Sequence, residues 1–252
     1  MKLVPVHEEP EKFVHQLKRW KEDPDSEPNI EKWYQDVYRN RQNEGSKSAN
    51  IKVPAFLPVS KGDPDYDDAA DREQIEKGLA LIPEVHKELL RKEGIAIQTG
   101  CALSRYDRRN KVIQAGKNLE LGEIIHEVGD AVETVMDLYR DAKFLGVLAS
   151  GIPVKEITLE YLFIETGYAE RWIRLTHQGI NKFVTPYQAR VYPEDIDGDE
   201  MFIVSEGERL FNVRTLGEYF SEGYRMFVLA PQKLKQKDEA LFEFIARLVE
   251  NG

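Results

Sequence analysis

The chain has 252 residues, a formal net charge of −10, 41% hydrophobic and 32% charged residues, and one cysteine. That length suffices to bury a substantial core, as one large domain or two small ones. The acidic balance argues against a general binder of nucleic acid or anionic membrane, whose phosphates it would repel. The lone Cys101 excludes an intramolecular disulfide and a thiolate zinc cluster, so any metal must be held by histidine and carboxylate.

Met1 is followed by no apolar run long enough for a signal peptide, and no stretch approaches a membrane span. The expectation is a chain that stays in the cytoplasm or leaves by lysis or a non-classical route. Two short amphipathic helices are predicted at Pro10 to Glu22 and Ile30 to Asn40, with Asp-Pro and Glu-Pro breaks between them. Residues 41–68 are polar and rich in Ser, Lys, Pro and Asp, and read as a linker in which Val53 to Leu57 pin one part to a surface. Residues 1–68 thus read as a helical N-terminal extension and linker, and residues 69–252 as the main domain.

From Ala69 the periodicity strengthens. Leu79, Leu81, Ile82, Val85, Leu89 and Leu90 make a helical apolar face that ends near Gly94. Ile95 to Ile97 reads as a strand, Arg105 to Asn110 as a turn, and Lys111 to Gln114 as a second strand, either a hairpin with the first or its sheet neighbour. Leu119 to Tyr139 is the clearest helix, with Asn118 placed to cap it. After a mixed middle section, Met201 to Val204 and Arg209 to Phe211 read as strands. Helices from about Thr215 to Leu229 and Leu234 to Glu250, separated by Ala230 and Pro231, close the chain. The class expected is α+β.

His126-Glu127-Val128-Gly129-Asp130 lies in the middle of the clearest helix. Residues four apart share a helix face, so His126 and Asp130 can converge on one ion. Glu127 stands beside them, placed to take a proton from a bound water. This is the logic of H-E-x-x-H metallopeptidases, with aspartate in place of the second histidine. A carboxylate oxygen ligates zinc at a similar distance, so the site is weakened rather than abolished. The same stripe (Glu123, His126, Glu127, Asp130, Thr134, Asp137) also reads as the wet face of an amphipathic helix. Against that, Gly122 and Gly129 inside the helix each cost about 1 kcal/mol relative to alanine, which suggests a second backbone packed closely on them. Downstream, Glu218 and Glu222 share a face by the same spacing. One is placed to ligate and the other to support a ligand, or both are a solvated pair favoured near a helix N-terminus.

Taken together, these segments resemble the catalytic domain of anthrax lethal factor and its relatives, which include the clostridial Pro-Pro endopeptidases and many phage or toxin modules. The resemblance is carried by His126 to Asp130, by Glu218-Tyr219-Phe220-Ser221-Glu222-Gly223-Tyr224-Arg225-Met226-Phe227, and by Pro231, Leu234-Lys235 and Phe242-Glu243-Phe244-Ile245, over roughly residues 75 to 250. It implies a zincin-like metallopeptidase domain: a small mixed sheet, an active-site helix and C-terminal helices. One zinc ion is implied on His126, Asp130 and Glu218, with Glu127 as general base and Glu222 as supporting carboxylate. It implies a protein or peptide as substrate or partner. The family pattern expects an oxyanion-stabilising tyrosine seven residues before the third ligand; here that position is Phe211, which has no hydroxyl. Tyr219, Tyr224 and Tyr192 are the candidates to replace it. The two departures, Asp130 and Phe211, leave two readings: a peptidase of weak activity, or a degenerate zincin serving as a binding or scaffold module of a toxin or phage-derived system.

Asp195, Asp197, Asp199 and Glu206 fall in EF-hand-like spacing, but the glycine is misplaced and strands flank the segment, so a polar turn is the expectation. His7, His15, His86 and His177 stand in no ligand spacing, and Trp20, Trp33 and Trp172 read as packing anchors.

Overall fold

Residues 57–150, 158–166, 168–176, 182–185, 187–192, 202–205 and 208–251 are described in the computed structural model of the chain. The two N-terminal helices, the linker before Leu57, the EF-hand-like set, His7, His15, His177, Trp20 and Trp33 lie outside the described residues.

The sheet begins inside the stretch expected as linker. Val59–Lys61 forms β1, and Leu57 just before it is fully buried. β1 pairs in parallel with β2 (Ala96–Cys101), setting Val59 opposite Ile97, and β2 pairs in parallel with β4 (Val112–Gly116). The expected turn supplies a strand of its own: β3 (Arg105–Asp107) runs antiparallel to β4, Tyr106 opposite Ile113. The order is β1-β2-β4-β3, so the two strands foreseen around the turn are parallel neighbours and β3 is an edge.

Where one apolar helical face was expected there are two helices, α1 (Ala69–Leu81) and α2 (Glu84–Lys92). Pro83 separates them: it lacks an N–H and holds Ile82 extended, at φ −63 and ψ 137. Gly94 follows α2 at φ 73, the left-handed turn that ends a helix most cheaply at glycine.

The central helix, α3, spans Leu121–Val135. Asn118 is not its cap; it sits at φ 59, and the N-cap is Glu120, whose N–H donates to the Glu123 carboxylate at 3.3 Å. The helix also ends sooner than its apolar pattern suggests. Asp137 turns left-handed (φ 51), and Leu138–Arg140 continue as one 3₁₀ turn. Asp141 then caps α4 (Ala142–Ala149), accepting from the N–H groups of Lys143 at 2.6 Å and Phe144 at 3.3 Å.

The middle section is a hairpin that sequence patterning left unassigned. β5 (Thr158–Thr166) pairs with β6 (Tyr168–Thr176), and β7 (Arg190–Val191) adds to β6. β8 (Phe202–Ser205) and β9 (Glu208–Phe211) pair antiparallel, close to the two strands expected there. α5 (Tyr219–Leu229) and α6 (Pro231–Lys237) follow, with Pro231 in the first turn of α6 where its missing N–H costs nothing. The expected closing helix is in fact two, because Asp238 (φ −142) breaks it before α7 (Glu239–Asn251).

α3 lies between the four-stranded sheet and the C-terminal helices. Ile97 and Ile113 from the sheet, Ile124 and Val128 from α3, and Phe220 and Tyr224 from α5 belong to one buried core, all at 0% exposure. Phe144 of α4 packs edge-on against Phe220 and tilted against Phe244. Among the described residues, no helix is long and apolar enough to cross a membrane. The architecture is a mixed α and β fold with a small sheet and several helices.

Candidate metal centre

The middle of the polar stripe of α3 is not a wet face, although Glu123 near its start and Asp137 past the helix end are exposed. His126 is 9% exposed and Glu127 7%. What covers them is α5, and glycine is what lets it come so near. A Cβ on Gly129 would stand 2.9 Å from the backbone Cα of Ser221, and one on Gly122 would stand 3.1 Å from the Arg225 guanidinium. A backbone packed closely on the helix was the expectation from these glycines. It is found at Gly129 and belongs to a helix, whereas at Gly122 the neighbour is a side chain.

This approach brings the two distant motifs together. His126 Nε2 lies 3.0 Å from Glu218 Oε2 and 3.8 Å from Asp130 Oδ2. One donor atom from each of His126, Asp130 and Glu218 lies within 4.8 Å of the others, a spacing at which a single ion reaches all three. The opposite ring nitrogen is held from behind. His126 Nδ1 lies 2.8 Å from Glu222 Oε1, while Glu222 Oε2 accepts from Thr185 Oγ1 at 2.5 Å and from Arg225 Nη2 at 2.9 Å. With Nδ1 donating to Glu222, Nε2 is the nitrogen left to face the centre.

The electrostatics are those of a site short of positive charge. Burial works to lower the His126 imidazole, but Asp130, Glu218 and Glu222 outweigh it and hold its pKa well above the ordinary value. Burial pushes the Glu127 carboxyl up to about 8, with Asp130 adding to the effect. Burial also raises Asp130 and Glu133, two carboxyls on the same face of α3. Glu222 goes the other way: burial would raise it, yet Arg225 and the His126 hydrogen bond hold it well below the carboxylate range. Glu127 Oε2 and Glu133 Oε2 are buried with no hydrogen-bond partner. Burying carboxyl oxygens without partners is expensive, and a cation nearby is the usual remedy.

Phe211 is 5% exposed and belongs to the core. Of the three tyrosines considered as its replacement, two are committed elsewhere. The Tyr219 hydroxyl donates to Asp238, and the Tyr224 hydroxyl lies 2.8 Å from His86 Nδ1. Tyr192 is the one at the centre, its hydroxyl donating to Glu218 Oε1 at 2.7 Å. Gly217 makes room for its ring, since a Cβ there would come within 3.0 Å of it. Arg190 lies over the same ring at 4.3 Å and donates to the Tyr187 hydroxyl at 3.1 Å, and Tyr187 stands edge-on to His126 at 5.7 Å between ring centroids.

All five residues expected at the centre (His126, Glu127, Asp130, Glu218 and Glu222) are therefore gathered in one place. Sequence reasoning missed Glu133, although it follows Asp130 by three positions on the same face, a signal open to inspection. It also missed Thr185, Tyr187 and Arg190. They come from the segment after β6, where no local pattern announces that the chain returns to α5.

His126, Asp130 and Glu218 fit a divalent ion by donor type, by spacing and by the orphaned carboxyl oxygens beside them. No family model matches the chain. No curated protein matches it either. Among solved structures it is similar to a Pro-Pro endopeptidase, PPEP-2, from Paenibacillus alvei, with 15% identity and a TM-score of 0.43, over 77% of this chain and 96% of that one.

Proposed function

We propose that the chain is a metal-dependent peptidase of the zincin type, holding one ion, zinc in the first instance, on His126, Asp130 and Glu218. The observation that carries this reading is the triad itself: three donors within 4.8 Å, drawn from two distant segments. When bound, the ion supplies Lewis acidity to a water and to a peptide carbonyl. Glu127 follows His126 on α3 and is the general base. Its carboxylate takes the proton of the attacking water and delivers it to the departing amine. Glu222 fixes the tautomer and orientation of His126 through Nδ1. Tyr192 supplies the hydroxyl that Phe211 lacks; it turns from Glu218 Oε1 to donate to the oxygen that gains negative charge.

Asp130 favours a second reading, a degenerate zincin that acts as a protein-binding module, because a carboxylate in place of an imidazole weakens zinc binding and makes the water less acidic. One pair of measurements separates the two. Purified chain, analysed for metal after zinc soaking, is expected to carry one ion that Glu218→Ala loses. Hydrolysis of a peptide library is expected to vanish in Glu127→Gln while the metal is kept. A wild-type chain without bound metal would sink the peptidase reading, and a metal-loaded chain that cleaves nothing would favour the binding module.

A further inference from the structure

The donors at the centre are one imidazole nitrogen and two carboxylate oxygens, a set richer in oxygen and in charge than the two-histidine pattern it resembles. We propose that Asp130 makes this a hard-ion site, with selectivity displaced from zinc toward oxygen-preferring divalent ions of the manganese(II) type. The inference rests on the reading of the triad as a metal centre.

Three observations carry it. The first is donor chemistry: carboxylate and water oxygens suit manganese and magnesium, whereas imidazole nitrogen favours zinc, so exchanging one imidazole for a carboxylate moves the balance toward the harder ion. The second is coordination. Glu218 Oε1 is occupied by the Tyr192 hydroxyl, so Glu218 offers the centre its Oε2 alone. Asp130 keeps a quarter of its side chain exposed, which lets water complete the larger shell that a hard ion prefers. The third is the surrounding field. Glu127 and Glu133 each present a buried Oε2 without a hydrogen-bond partner, and the Arg108 guanidinium stands 3.8 Å from Glu133 on the side of Oε1. Such a field attracts any cation by charge. That helps most where bonding is mainly electrostatic, and least where affinity depends on covalent character with nitrogen.

Zinc binds nitrogen and oxygen sites more tightly than manganese in general, so the quantity at issue is the ratio of the two affinities rather than either alone. The test uses the metal-stripped full chain. Manganese(II) is titrated by the loss of its free-ion electron paramagnetic resonance signal, and zinc by competition with a chromogenic chelator. Wild type, Asp130→His and Glu218→Ala are compared, with thermal melts to confirm folding. The expected result is one manganese ion per wild-type chain, absent in Glu218→Ala. In Asp130→His the zinc-to-manganese preference should rise by at least about tenfold. Should Asp130→His fail to fold, Asp130→Asn removes the charge at nearly constant size and is expected to lose manganese more than zinc. An unchanged ratio, or a wild-type chain that takes zinc and refuses manganese, overturns the proposal but leaves the metal centre standing. Binding of neither ion overturns the metal-centre reading and the selectivity with it.

Discussion

At the scale of single residues, the chemistry turns on where a hydroxyl is found once the expected position has lost it. Phe211 lies in the core and carries no hydroxyl. Tyr192 already has its hydroxyl 2.7 Å from Glu218 Oε1, with Gly217 leaving room for its ring and Arg190 lying over it. Burial and the neighbouring Glu218 push the Tyr192 phenol well above its ordinary pKa, so it stays protonated and able to donate across the working pH range. Tyr192→Phe should therefore lower kcat about 10²–10³-fold, the usual loss of one oxyanion donor, while metal content and folding stay intact. Unchanged turnover in that variant would remove Tyr192 from the reaction; loss of metal would instead make it a support for Glu218. The residues of the candidate centre were legible in the sequence because helical spacing pairs His126 with Asp130 and Glu218 with Glu222, and the resemblance joins the two pairs into one site. Tyr192 was only one candidate among three, since which hydroxyl reaches the centre depends on how the chain returns after β6, and no local spacing encodes that.

At the scale of elements, the decisive contact is α3 against α5. Gly129 is the point of closest approach, and the apolar residues around it (Ile125, Val128, Phe220, Tyr224) are buried on both helices. Gly129→Ala should raise the intrinsic helix propensity of α3 and yet destabilise the fold, because the added methyl meets backbone, which cannot swing aside as a side chain would. A loss of about 2 kcal/mol in urea denaturation is expected, with weaker metal binding as Glu218 is pushed away. A more stable variant would show that the helices have slack at this crossing. The segment that returns over α5 is anchored in turn by buried Lys182. It donates to the carbonyls of Val147 at 2.7 Å and Ser150 at 2.6 Å near the end of α4, and pairs with Asp238 at 3.3 Å. Cations are favoured at a helix C-terminus, and the anchor sets Thr185 and Tyr187 in place a few residues on. Helix existence was legible because the apolar period is strong in α3, α5 and α7. Helix ends were not, since they were set by a left-handed Asp137, by Pro83 and by the extended backbone of Asp238 between two helices. The β5–β6 hairpin escaped notice because charged and apolar residues share its strands without a clean alternation.

At the scale of the whole molecule, stability against pH should carry the signature of His86, a buried histidine outside the candidate metal centre. His86 of α2 is 1% exposed; its Nδ1 lies 2.8 Å from the Tyr224 hydroxyl of α5, and its Nε2 is buried without a partner. Burial alone holds the imidazole down at about 4 against an ordinary 6.5, so the folded chain keeps it neutral. Above pH 6.5 it is neutral in both states and contributes no slope. Below 6.5 the unfolded chain takes a proton that the folded chain refuses, so this contribution to stability falls until pH reaches about 4 and then levels off. The full loss is about 3 kcal/mol. In the metal-free chain the raised carboxyls of Glu127 and Asp130 act in the opposite sense over part of this range, as protons that the folded state prefers to hold. The readable quantity is therefore the difference between wild type and His86→Gln, measured by urea denaturation at several pH values. That difference should be flat above pH 7 and shrink by about 3 kcal/mol on going down to pH 4. Parallel curves would mean that His86 gains its proton inside the fold, and that the contact it makes between α2 and α5 opens more readily than its burial implies.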